Sequence, residues 1–377
     1  MARKSVERGI SYDEERGRYY VLLDFGKDAC GTRTRTYKTF QTLAQARSAR
    51  SAFWAERDVS RPVLPQSITL GQWLSYWLEE VIAPSRAETT AYGYRGMIKN
   101  HTMPALGEIP LQQLAPQDIQ RYYGRLLSEK SLSPNTVRRH HAMLSSALRM
   151  AVRQQVLAVS PADRVDPPRV APHEMLFYGP EALRALYGAA EGTDLELPVH
   201  LAGSLGLRRE ELCGLRWNAV DFARRRVQIC AARTVAGKYV VEKETKNSSS
   251  IRVLYLTDEL YSLLRRKRDQ QQRLCSAKGE VFSETGLVVT NPQGIPVGPN
   301  NLSLSFCRFL KRHNLPKITL HGLRHTFATL ASAQGAPLFD IGKALGHSSP
   351  ATTGRIYTHL LDQTHEHLLE QVAAAVR

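Results

Sequence analysis

The chain has little cysteine and no long apolar run. Its five cysteines, at positions 30, 213, 230, 275 and 307, lie far apart with no C-x-x-C pair, which excludes a disulfide frame and a zinc knuckle. They read as buried, reduced thiols. No apolar stretch approaches the roughly 18 residues that would span a bilayer. The opening MARKSVERGISYDEERG is basic with no apolar core behind it, so it is not a secretory signal. A cytoplasmic protein with no membrane partner is expected. A phosphate-binding P-loop is lacking too: Gly335 and Gly342 have the wrong spacing and no Ser or Thr follows Lys343, which argues against ATP as an energy source. Internal repeats and low-complexity tracts are absent.

What is present is positive charge. Against 35 acidic residues stand 51 Lys and Arg, a formal net charge of +16 over 377 residues. Such an excess points to a polyanionic partner, nucleic acid first. Proline clusters in DVSRPVLPQS (58 to 67) and AVSPADRVDPPRVAPH (158 to 173) interrupt helices and divide the chain into blocks at 1–57, 68–160 and 174–377.

The first block reads as strands over 17–26 and 32–40 followed by a helix over 42–57. On the second strand Arg33, Arg35 and Tyr37 share one face, a basic and aromatic surface able to enter a DNA groove. The second block is helical. Leu70, Trp73, Leu74, Trp77, Leu78 and Val81 form one apolar stripe. Further on, Ser133 and Pro134 open a helix whose buried stripe is Val137, Leu144, Leu148 and Val152 or Ala151. Arg138, Arg139 and His140 crowd its first turns, where cations oppose the helix dipole; a phosphate backbone would offset that cost.

The third block mixes helices with strands between about 222 and 256 and carries the chemistry. In SLGLRREELCGLRWNAVD, Gly206 permits a tight turn and Arg208 opens a short helix, with Glu210 or Glu211 as possible ion-pair partners. In ITLHGLRHTFATLASAQG the apolar face is Leu323, Phe327, Leu330 and Ala331, the stop is Gly335, and His321 and Arg324 lie on nearly the same side. His321 and His325 have the spacing of zinc ligands, but Gly322 stands where the metalloprotease motif needs glutamate, so no metal is expected. In LGHSSPATTGRIYTH, His347 follows a helix that ends at Gly346, and a new helix from about Pro350 carries Tyr357, whose apolar immediate neighbour is Ile356 alone. Two arginines, two histidines and a tyrosine suit attack on a phosphodiester. Guanidinium forks match the non-bridging oxygens, imidazoles donate hydrogen bonds or move protons, and a phenol can form a covalent intermediate.

GLRREEL, HGLRHTFAT, LGHSS and TTGRIYTH, in this order, resemble the signature boxes of the tyrosine recombinases, the phage integrase family. The resemblance implies a catalytic set of Arg208, His321, Arg324, His347 and the nucleophile Tyr357. It also implies a lysine on a β-hairpin between the first two boxes, Lys246, with Lys243 in reserve. The fold it implies is multidomain: a small N-terminal β-sheet of three strands plus a helix that binds arm DNA (1–57), an all-α domain that binds core DNA (68–160), and a mixed, mainly α catalytic domain with a small antiparallel sheet (174–377). The expected reaction is cofactor-free site-specific recombination of double-stranded DNA through a 3′-phosphotyrosyl link, integrating and excising a mobile element. The expected assembly is a homotetramer on core and arm sites at the nucleoid, with an excisionase or host DNA-bending protein as further partner. Rival readings are a type IB topoisomerase-like religation, an inactive DNA-binding regulator of the same fold and a metal-dependent nuclease.

Overall fold

The computed structural model describes residues 4–27, 33–59, 68–171, 176–237, 239–244 and 251–346. The chain divides into two units, residues 1–171 and 172–377. No helix among the described residues is long and apolar enough to cross a membrane.

The first unit contains two separate apolar cores. Its N-terminal part is an antiparallel sheet of β1 (Lys4–Glu7), β2 (Ile10–Asp13), β3 (Arg18–Lys27) and β4 (Arg33–Phe40) in that order, followed by helix α1 (Leu43–Val59). The sheet has four strands where three were expected. The two short leading strands are mostly polar, and β1 is held from α1, where Arg47 Nε donates to Glu7 Oε1 at 2.8 Å and Arg50 Nη1 lies 3.1 Å from Glu7 Oε2. Ile10, Val21, Leu23 and Ala46 form the core, with Tyr19 and Phe40 packed on it. The β3/β4 register sets Tyr19 against Phe40 and Leu23 against Thr36, so Arg35 and Tyr37, opposite Asp24 and Leu22, point away from that core.

The second core is helical. Thr69 caps α2 (Leu70–Tyr76) in a reciprocal box with Gln72, at 3.2 and 2.9 Å. The chain continues through a π-helical turn, Trp77–Ile82, into α3 (Ala83–Ser85), then α4 (Glu88–Met97), a second π-turn at Ile98–Thr102, α5 (Met103–Leu106), α6 (Pro116–Ser128) and α7 (Pro134–Arg153). The expected stripe from Leu70 to Leu78 is buried and Val81 packs at its margin. Ser133 caps α7, its Oγ accepting from Thr136 N at 3.2 Å. Val137, Leu144, Leu148 and Ala151 are fully buried; Val152 sits beside the core.

The second unit runs through α8 (Pro180–Ala190), α9 (Glu196–Leu205), α10 (Arg209–Gly214), β5 (Val220–Asp221), β6 (Arg226–Ile229), β7 (Ala231–Ala236), β8 (Tyr239–Glu244), β9 (Arg252–Tyr255), α11 (Asp258–Ala277), α12 (Pro299–Arg312), α13 (Leu320–Ala333) and α14 (Leu338–Leu345). One antiparallel sheet has the order β5-β6-β9, and β7 and β8 form a separate hairpin. A core built on Leu186, Val199, Leu212, Trp217, Leu260, Phe306 and Leu323 joins the helices to the three-stranded sheet. Of the cysteines, Cys213 is buried as expected, but Cys230 and Cys275 are half-buried and Cys307 is exposed.

Candidate active site

The sequence positions two turns with care. α9 ends at Gly206 in the left-handed region (φ 64°), where a Cβ would lie 2.6 Å from the Leu345 side chain and 2.8 Å from Phe327. The turn leaves Arg208 as N-cap of α10. α14 ends at Gly346, also left-handed (φ 66°), where a Cβ would meet Arg252 Nη1 at 2.9 Å. Between them α13 starts at a Thr319 cap, whose Oγ1 accepts from Gly322 N at 3.0 Å. Gly322 itself allows close approach: a Cβ there would lie 2.5 Å from Ile318 and 3.1 Å from the Leu176 carbonyl.

Three arginines from three segments end on three successive carbonyls at the end of α14. Arg252 Nε donates to Ala344 O at 2.6 Å, Arg324 Nη2 to Leu345 O at 2.7 Å, and Arg208 Nη2 to Gly346 O at 3.1 Å. Carbonyls at a helix C-terminus have no partner within the helix and carry its negative pole, so guanidinium groups are favoured there. Arg324 is 2% exposed and also donates from Nη1 to Gly206 O at 2.8 Å, bracing the turn that carries Arg208.

Glu211 ties the cluster together. One carboxylate accepts the Arg208 backbone N–H (2.9 Å) and Nη1 (2.8 Å), and the forked Nη1 and Nη2 of Arg252 (3.1 and 2.8 Å). Burial alone would raise its pKa, but Arg252 and then Arg208 outweigh that and hold the carboxyl below its usual value. The expected pairing of Arg208 with Glu211 is present; Glu210 pairs with Arg209 instead.

His321 is exposed at the start of α13, its ring edge-on to that of His325 with centroids 4.6 Å apart. Packing around the ring, then Arg324 and Arg208, depress its pKa against the opposing pull of Glu210. Burial, then His321 and Arg324, push His325 down to about 4. Both imidazoles are neutral at neutral pH. Among the described residues, no group of three or more His, Cys, Asp or Glu could hold a metal ion. A cavity of about 290 Å³ lined by Asp194, Glu196, Arg266, Lys267 and Thr290 contains none of the cluster.

The structure thus joins Arg208 and Arg324 at the end of α14 and places His321 near enough for the charges of both to depress its pKa. Lys246, His347 and Tyr357 lie outside the described residues; Lys243 is in β8 opposite Ala232. Two members went unread in the sequence as parts of this cluster: Glu211 as its shared anion and Arg252 altogether. Arg252 opens an apolar strand, IRVLYL, and its only signal was a basic residue leading an apolar run; its burial, 7% exposed, shows only in the fold.

The surface residues proposed to meet DNA fare differently. Arg33 sits in β4 opposite Lys27; Arg35 is exposed with its Nε 3.2 Å from Asp24 Oδ2; Tyr37 is 54% exposed. Arg138 and Arg139 are exposed on α7. His140 is not: at 1% exposure it is a core residue, which corrects its assignment to the DNA face. Its Nδ1 lies 2.9 Å from Tyr122 Oη, which in turn lies 2.9 Å from Thr102 Oγ1. Burial, then His101 and Arg139, lower its pKa to about 4. Positions 137, 140, 144, 148 and 151 follow the helical repeat, a signal masked by the residue being polar.

Comparisons with known proteins identify the family. Residues 180–364 match the model described as the phage integrase family, and residues 69–127 match a phage integrase N-terminal SAM-like domain. A tyrosine recombinase XerC-like protein of Caldanaerobacter subterraneus subsp. tengcongensis is 27% identical, with 98% of each chain covered. Tyrosine recombinase XerC of Chlamydia trachomatis is 30% identical over 63% of this chain and 74% of its own. Among solved structures, the Tn1549 transposon integrase in complex with transposon right end DNA superposes with a TM-score of 0.70 at 22% identity, over 81% of this chain and all of the crystallised one.

Proposed function

The chain belongs to the phage integrase family of tyrosine recombinases, and from that premise we propose that it integrates and excises a mobile genetic element by cutting and rejoining DNA through Tyr357. It is a tyrosine-type site-specific recombinase. The observation that carries the assignment of roles is the meeting of Arg208 and Arg324 at the carbonyl end of α14, one residue before His347 and within twelve of Tyr357 in the chain.

In the proposed reaction the Tyr357 oxygen attacks a backbone phosphorus, forming a 3′-phosphotyrosyl bond as the bond to the 5′-oxygen breaks. Negative charge builds on the non-bridging oxygens. A guanidinium has five N–H donors, so Arg208 and Arg324 can grip protein carbonyls while stabilising that charge. Lys246 protonates the leaving 5′-oxygen, with Lys243 in reserve. His321, held neutral, can accept a hydrogen bond or a proton, and His347 assists. Because the linkage is kept as a phosphodiester, a 5′-hydroxyl from a second duplex reverses the step, and joining needs no cofactor.

The three blocks divide the DNA among them. We assign arm-site binding to the N-terminal sheet through Arg33, Arg35 and Tyr37, core-site binding to the helical region through Arg138 and Arg139, and chemistry to the second unit. A homotetramer on paired sites in the cytoplasm, assisted by an excisionase or a DNA-bending protein, completes the proposal. The test is a nicked duplex that loses the cleaved end and so traps the intermediate. Wild type is expected to form a covalent protein–DNA adduct and Tyr357→Phe none; a wild-type protein without adduct would overturn the assignment.

A further inference from the structure

Arg252 belongs to none of the four sequence boxes, yet its guanidinium is bonded both to the end of α14 and to Glu211. Its Nε holds Ala344 O at 2.6 Å while its Nη1 and Nη2 fork onto Glu211 at 3.1 and 2.8 Å. Glu211 holds Arg208 at two points, and Arg208 returns to Gly346 O. The result is a closed ring: β9 to α14, α14 to Arg208, Arg208 to Glu211, Glu211 back to β9. Arg324 crosses it from Gly206 O to Leu345 O. The fit leaves no slack at Gly346, where one added carbon would press on Arg252 Nη1.

We propose that Arg252 is a positioning residue for strand cleavage: it fixes the carbonyl end of α14, and with it the step into His347, against Arg208. The inference rests on the function proposed above. Lysine cannot replace this side chain, because an ammonium group cannot give the planar fork to Glu211 and the third N–H to Ala344 O at once. Arg252 also stands six positions after Lys246, the proposed proton donor, in the chain.

The experiment uses Arg252→Lys and Arg252→Gln in the full chain, with saturating nicked duplex and single-turnover conditions. Both the rate constant and the amplitude of adduct formation are read, together with the Kd for uncleaved duplex. A positioning role lowers the rate constant about 10- to 100-fold with Kd unchanged, since misplacing a reacting group by about 1 Å has effects of that size. A purely structural role lowers only the amplitude, because fewer molecules fold while each folded one cuts at the wild-type rate. An unchanged rate constant therefore overturns the proposal even if the variants are unstable. Wild type and Tyr357→Phe run alongside: absence of a wild-type adduct would sink the proposed function instead.

Discussion

The helical core of the first unit and the arginine cluster of the second both bury polar side chains, in opposite charge states. Around α6 and α7, Thr102, Tyr122 and His140 are neutral and bonded to one another inside an apolar core. Around α14, Arg324, Arg252 and Glu211 are charged and bonded to one another or to backbone carbonyls. A neutral network can be enclosed cheaply and fixes how helices register. A charged one carries a desolvation penalty that only good geometry offsets, and leaves arginines where a phosphate would need them. Under the proposed function, the contrast would separate a region that meets DNA through its outside from one that works on DNA through its inside.

The largest expected effect breaks the charged side. Glu211→Gln keeps the shape but removes the anion shared by Arg208 and Arg252, leaving a guanidinium that is 7% exposed without its counter-charge. Breaking a buried pair from one side costs about 3–5 kcal/mol. For a unit of this size that lowers the melting temperature by about 6–20 °C. Calorimetry with hydrogen exchange at α10 and β9 reads it, and a shift too small to measure would mean that solvent reaches the cluster.

The neutral side responds to pH. His140 titrates near 6.5 when unfolded and at about 4 when folded, so the unfolded chain binds the extra proton first as pH falls. The stability associated with neutral His140 is whole above pH 6.5, declines between 6.5 and 4, and declines no further below 4; the total is about 3 kcal/mol. Glu211 behaves differently. Its lowered pKa keeps its contribution intact until more acidic conditions, so at pH 5 the helical core should loosen while the arginine cluster holds. Hydrogen exchange of α6 and α7 at pH 7 and pH 5, corrected for intrinsic rates, checks this; equal protection at both would place His140 in contact with water.

What could be read in advance follows from the same contrast. Local rules write themselves into sequence: the Leu70 to Leu78 stripe, the Ser133 cap and the Gly346 stop each depend on neighbours within a turn or two, and each is present. Long-range partnerships do not. Arg252 meets Glu211 across 41 positions and Ala344 across 92, and strand β1 and the turn after it are secured by Arg47 and Arg50 some 40 positions on. His140 failed for another reason: its place in the helical repeat said buried, and its chemistry said exposed. Tyr122, 18 positions away, is what reconciles the two.

The smallest effect sharpens what remains of the DNA face on α7. Arg139 is exposed in the first turns of a helix with no acidic residue there to offset the dipole. At the sixth helical residue it lies just beyond the first turn, so its cost to the free protein is at most the low end of about 0.3–1 kcal/mol, and a phosphate can offset it in the complex. Arg139→Ala should therefore stabilise the free protein by up to that amount while weakening its grip on core DNA. One fewer phosphate contact reduces the slope of log affinity against log salt by about 0.9. The two signs together are the diagnostic, because loss of an ordinary surface charge gives neither. Calorimetry of the free protein and duplex binding across a salt series measure them in turn. If the slope stays constant, α7 does not present Arg139 to the backbone, and the helical region must meet DNA through another of its faces.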